Sequence, residues 1–109
     1  AAIAPPATPA GARPAAPRGF DATGFLPCAM IRGQPSRDCR FGVERTARGA
    51  AVLDVLGGNG VTRRIIFERG APVRADGTGE LTFERFGELF LIRQGDERFE
   101  VPEAVVTGG

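Results

Sequence analysis

Ala51-Val52-Leu53-Asp54-Val55-Leu56-Gly57-Gly58-Asn59-Gly60-Val61-Thr62-Arg63-Arg64-Ile65-Ile66-Phe67-Glu68 is the stretch that decides how this chain folds. Two runs of β-branched and large apolar residues flank a glycine-asparagine cluster. Branched side chains suit a pleated, packed surface. Glycine and asparagine reach the left-handed backbone that a tight reversal needs. The stretch therefore predicts a β-hairpin, with Gly57 to Gly60 as its turn.

The same rhythm extends outward. Phe41 and Val43 alternate with Gly42 and Glu44 on the N-terminal side. On the other side, Gly70-Ala71-Pro72 turns the chain into a short Val73-Arg74-Ala75 segment, and Asp76 to Gly79 turns it again. Leu81 and Phe83 alternate with Thr82 and Glu84, and Arg85 to Glu88 reverse through Gly87. Leu89 to Arg93 reads as a strand and Gln94-Gly95-Asp96 as a tight turn; Phe99 and Val101 point inward from the last clear strand, which Pro102 ends. Glu103 to Thr107 suits either a short helical turn or a final strand. No window carries a helical period. Short strands at steady spacing predict an all-β fold, a small antiparallel meander forming a sandwich or a barrel.

This domain is expected to span residues 20–109. Ahead of it, residues 1–19 hold five prolines among alanines, a composition that favours an extended or disordered arm over helix or sheet. Such an arm suits a spacer or tether. The beginning of the chain shows neither a basic n-region nor an apolar h-region, so a signal sequence is expected to have been removed. No segment approaches the roughly 20 apolar residues that cross a bilayer, although a lipid or protein tether upstream is compatible with the chain.

Cys28 and Cys39 lie eleven positions apart between strand-like segments. With no histidine and only two cysteines in 109 residues, a zinc site lacks its usual ligands, and no CxxC redox motif is present. A structural disulfide between Cys28 and Cys39 is expected. It places the protein in an oxidising compartment, periplasmic or secreted.

Charge excludes one class of partner. Fourteen basic residues, all arginine, oppose thirteen acids for a net charge of +1. The signs alternate, as in Glu44-Arg45, Glu68-Arg69, Glu84-Arg85 and Glu97-Arg98. A nucleic-acid binder normally clusters its basic residues, so no nucleic-acid partner is expected.

Catalytic chemistry is thin. The commonest general base is missing with histidine. Ser36, the lone serine, sits in a Gln34-Pro35-Ser36-Arg37 turn with no base beside it. Glu80 and Glu84 share a strand face, where charged residues are ordinarily solvated. Asp76 to Glu80 lacks the third acidic ligand and the spacing of a calcium loop. No catalytic residue, metal or cofactor is expected.

Several strands are apolar on both faces, whereas a sheet covered on one face alternates. Either the chain's own ends cover the second face, through Phe20, Phe25 and Leu26 on one side and Ala104 to Val106 on the other, or a partner does. In the second case Val52, Ile66, Phe90 and Ile92 form the docking surface. Arg64, Arg93 and Arg98 are candidates for an acidic partner, against ordinary cross-strand pairing with Glu68, Glu97 and Glu100.

Asp21-Ala22-Thr23-Gly24, Pro27-Cys28-Ala29, Gly33-Gln34-Pro35, Cys39, Phe41 to Arg45, Arg64 to Phe67, Gly70 to Val73 and Gly95 to Pro102 together resemble a group of small exported alphaproteobacterial proteins of unknown function. The resemblance covers nearly all of residues 20–109. It implies export and the disulfide, and no activity. The turn at Asp76 to Gly79 is short for that group. A likeness to the periplasmic lysozyme inhibitors rests on size and fold class alone.

The expected function is that of a non-catalytic exported β module. It binds another envelope protein, or a second copy of itself, as an accessory subunit of a membrane complex. The alternative is a hydrolase inhibitor or small-ligand binder acting through the disulfide-stapled loop Ile31 to Asp38.

Overall fold

The computed structural model describes residues 19–57 and 60–108. The Ala/Pro-rich arm lies outside them apart from Gly19, as do Gly58 and Asn59 of the central hairpin turn. Eight strands and one short helix follow in order: β1 (Ala22–Ala29), β2 (Arg37–Ala47), β3 (Ala50–Leu56), β4 (Thr62–Glu68), β5 (Ala71–Ala75), β6 (Leu81–Phe86), β7 (Leu89–Gln94), β8 (Glu97–Pro102) and α1 (Glu103–Thr107). Of the two forms open to Glu103–Thr107, the structure adopts the helix.

All strands belong to one antiparallel sheet in the order β5-β4-β3-β2-β1-β8-β7-β6. The hairpin read from Ala51 to Glu68 is β3 against β4, with Leu53 opposite Ile65 and Val52 opposite Ile66. Every neighbour in the sheet is also a neighbour in sequence except β1 and β8, which pair through Cys28–Phe99 and Ala29–Arg98. That pairing curls the meander into a nearly closed barrel. The fold is all-β and antiparallel, with one disulfide: Cys28 and Cys39 are bonded, their Cα atoms 5.9 Å apart.

The barrel interior is filled by one side-chain set from each of β1 to β4, β7 and β8. Leu26, Val43, Leu53, Val55, Ile65, Phe67, Phe90, Ile92, Phe99 and Val101 are almost fully buried, as is the disulfide. An eight-stranded barrel is just wide enough for side chains to fill it.

Closure between β5 and β6 is made by side chains, since no strand ladder joins them. Phe67 and Phe90 meet across the interior at 5.8 Å between ring centroids. Phe83 packs edge-on against Phe90 at 6.0 Å. Gln94 is buried, and its Nε2 donates to the carbonyls of Ala75 (3.2 Å) and Gly79 (3.1 Å), clasping the β5–β6 connection to β7.

The two ends are capped differently. At one end α1 lays Val105 and Val106 over the core, and Arg45 Nε donates to the Val105 carbonyl at 3.1 Å. At the other end Arg63 of β4 reaches Glu97 of β8 in a two-pronged ion pair, both bonds 2.8 Å. Gly77 lies so close to this group that a Cβ there would stand 2.5 Å from Gln94 Oε1 and 3.2 Å from both Arg63 Nε and Glu97 Oε1.

One facing is the reverse of the sequence-based expectation. Phe90 and Ile92 point into the core, at 1% and 0% exposure, and do not share an outer surface with Val52 and Ile66. The run Leu89-Phe90-Leu91-Ile92 is apolar at both parities, so its own pattern cannot say which side is in. Its register to β8 decides: Phe90 lies opposite Val101 and Ile92 opposite Phe99, both buried. Leu89 and Leu91 take the outer face.

Candidate docking surface

The outer face of β1 to β4 is a regular grid. One row runs Phe25, Arg40, Leu56, Thr62 across the four strands; the next runs Thr23, Gly42, Asp54, Arg64. A third runs Glu44, Val52, Ile66 across β2, β3 and β4, and on to Arg74 of β5.

The first row is open, and two of its four members, Phe25 and Leu56, are apolar. Phe25 is 64% exposed and Leu56 43%. Between them Arg40 lays its guanidinium 5.8 Å from the Phe25 ring centroid. An arginine stacked on an aromatic ring beside an exposed leucine matches the composition of interface centres, where aromatics and arginine are enriched. Neither Phe25 nor Arg40 stood out in the sequence as a docking residue. The available signal was parity: Phe25 alternates with the inward Leu26 on a strand whose inner set ends at Cys28.

The second row is partly covered by the chain itself. Phe20 lies over Gly42, so close that a Cβ at position 42 would sit 2.6–2.7 Å from its ring. Asp21 holds this segment in place: its amide donates to the Val43 carbonyl (2.7 Å) and its carboxylate accepts from the Arg45 amide (2.7 Å). Asp54 and Arg64 beside it form a two-pronged pair at 2.9 and 3.1 Å. That hydrogen bond, with the charge of Asp54, raises the Arg64 pKa above its ordinary value.

In the third row Val52 and Ile66 are half-buried neighbours on the outer face. The four apolar docking candidates thus divide: Val52 and Ile66 face outward, Phe90 and Ile92 inward. Ala104 to Val106 cover an end of the barrel, through Val105 and Val106, and not its outer face.

The three candidate arginines do not converge. Arg64 lies on β4 and is held by Asp54. Arg93 and Arg98 are register partners on β7 and β8. Arg93 approaches Glu84 at 3.9 Å, and Arg98 Nη2 donates to the Gln34 carbonyl. Glu97, expected opposite these residues, belongs to Arg63. Its hydrogen bond raises the Arg63 pKa, burial opposes that rise, and the charges of Glu97 and Asp76 add to it.

The segment Ile31 to Asp38 enters β2 at Arg37 and is tied to the β7–β8 turn. Arg32 Nε donates to Asp96 at 2.8 Å, next to the Arg98–Gln34 bond. Its apolar member Ile31 is 52% exposed.

Comparison with protein families, curated proteins and solved structures finds no match for this chain. The residues themselves carry the functional reading.

Proposed function

We propose that this protein is a non-catalytic, export-side β module that docks on another envelope protein through the outer face of β1 to β4. The observation that carries this reading is the exposed row Phe25–Arg40–Leu56, an apolar strip with a central cation on a rigid sheet. Exposed aromatic and aliphatic side chains around a stacked arginine match the make-up of interface centres. The buried Cys28–Cys39 bond supports export, because such bonds persist in oxidising compartments. In this reading the proline-rich arm spaces the module from its anchor, and the module serves as an accessory subunit of a membrane complex.

The test places a photo-crosslinking residue at position 25 of the full chain in envelope fractions. A discrete partner adduct, lost when Leu56→Asp is added with the fold retained by circular dichroism, is the expected result. No adduct, or one that the Leu56→Asp variant retains, overturns the docking face.

A further inference from the structure

β6 differs from every other strand. It is the one described strand without a buried residue. Phe83 stands on its core-facing side, opposite the buried Ile92, yet is 42% exposed. Phe86 at its end is 58% exposed. The cause is topological: β6 pairs with β7 on one side and with no strand on the other. The two free edges of the sheet are unlike. β5 is short, contains Pro72, and is bulged at Val73, which its register to β4 skips; proline and bulges blunt an edge against pairing. β6 is six residues long, free of proline, and in unbroken register with β7 from Leu81 to Phe86.

We infer that β6 is a self-pairing edge, and that two copies of this chain join antiparallel through it about a two-fold axis at Phe83. The charge pattern selects the occupant and the register. Residues opposite one another in an antiparallel ladder share a face, so the symmetric registers centre on a single residue. Centring on Thr82 sets Glu80 against Glu84 of the other copy. Centring on Glu84 or Arg85 sets that charge against itself. Like charges directly opposite are destabilising. Centring on Phe83 sets Thr82 against Glu84, Leu81 against the stem of Arg85, and the two Phe83 rings against each other. It uses five of the six residues on each copy and opposes no like charges. Phe83 is already placed by its edge contact with Phe90, and Arg85 by its 5.0 Å approach to the same ring and its 2.7 Å bond to Glu103. The edge is therefore preorganised. This surface is separate from the docking face on β1 to β4.

One strand pair buries less than the roughly 1,200 Å² of a standard stable interface, so a weak dimer with a dissociation constant on the order of 10–100 µM is expected. Sedimentation equilibrium on the full chain measures it, with amide hydrogen exchange at β6. Thr82→Glu, an exposed change beside Arg93, places like charges opposite at two symmetry-related points and weakens the dimer by about tenfold or more. Thr82→Glu/Glu84→Lys turns those points into opposite pairs and restores it. A concentration-dependent dimer with β6 amide protection and this loss and rescue supports the inference. A chain that stays monomeric to about 1 mM, far above the expected constant, overturns it, as does a dimer indifferent to both variants. If the monomer still crosslinks its partner through position 25, self-pairing fails while the docking face stands.

Discussion

Arg63 and Glu97 show how one side-chain pair can shape an end of the barrel. They come from β4 and β8, strands not adjacent in the sheet, and their side chains are only 23% and 14% exposed. A pair at such a depth contributes little net stability over apolar packing, but leaving one partner alone is costly. Glu97→Gln is expected to lower unfolding free energy by about 1–2 kcal/mol, since a charge-assisted bond is lost while the amide can still accept from the guanidinium. Urea titration measures it. The pH dependence has a definite sign. The folded Arg63 pKa lies above its unfolded value, so from neutral pH up to the ordinary arginine range this contribution is complete, and on the alkaline side it fades only above that range. No loss from the arginine is therefore expected between neutral and mildly alkaline pH. Gly42 gives a second test: in Gly42→Ala the new methyl group must displace the Phe20 ring. Overpacking ordinarily costs about 1–3 kcal/mol; the low end is expected because the obstacle is one side chain and not backbone. Fluorescence from a dye sensitive to exposed apolar surface should rise in the folded variant.

Among the elements, the β1–β2 pair depends most on its covalent link. Leu26 opposes Cys39 and Cys28 opposes Arg37, so the disulfide runs diagonally between adjacent strands, inside the barrel. Closing so short a loop is worth about 3 kcal/mol in the chain-entropy account, a large share of a typical stability of roughly 5–15 kcal/mol. Cys28→Ala/Cys39→Ala is expected to lose about 2–4 kcal/mol, read from the denaturation midpoint. With both cysteines at 1–2% exposure, a thiol reductant should act on the native protein only as fast as it opens.

At the scale of the molecule, the seam between β5 and β6 is expected to be the weakest line. Its closure rests on Phe67, Phe90 and Phe83 and on the Gln94 clasp. Phe90→Ala removes the middle ring of that chain. It should cost about 3–5 kcal/mol and speed amide exchange in β5 and β6 before β2 and β3, where both sides of each strand are paired. Uniform exchange across the sheet would contradict the seam's role.

Much of this architecture was legible in the amino-acid order alone. The β3–β4 hairpin, the turns at Gly70, Gly87 and Gly95 and the inward Phe99 and Val101 follow from local chemistry, because turn residues and a clean period of two act within a few positions. The disulfide was legible because two cysteines without histidine leave few other uses. The facing of β7 was not: with leucine, phenylalanine and isoleucine at both parities, only its ladder to β8 chooses the inner side. Nor was the partner of Glu97, Arg63 across the interior on β4, while the sequence suggested cross-strand pairing with Arg64, Arg93 or Arg98. The exposed row Phe25–Arg40–Leu56 and the bare edge of β6 likewise depend on strand register and sheet order. The sequence determined strands, turns and the covalent link; the tertiary structure decided closure, facing and exposure, since those depend on contacts between residues far apart in the chain.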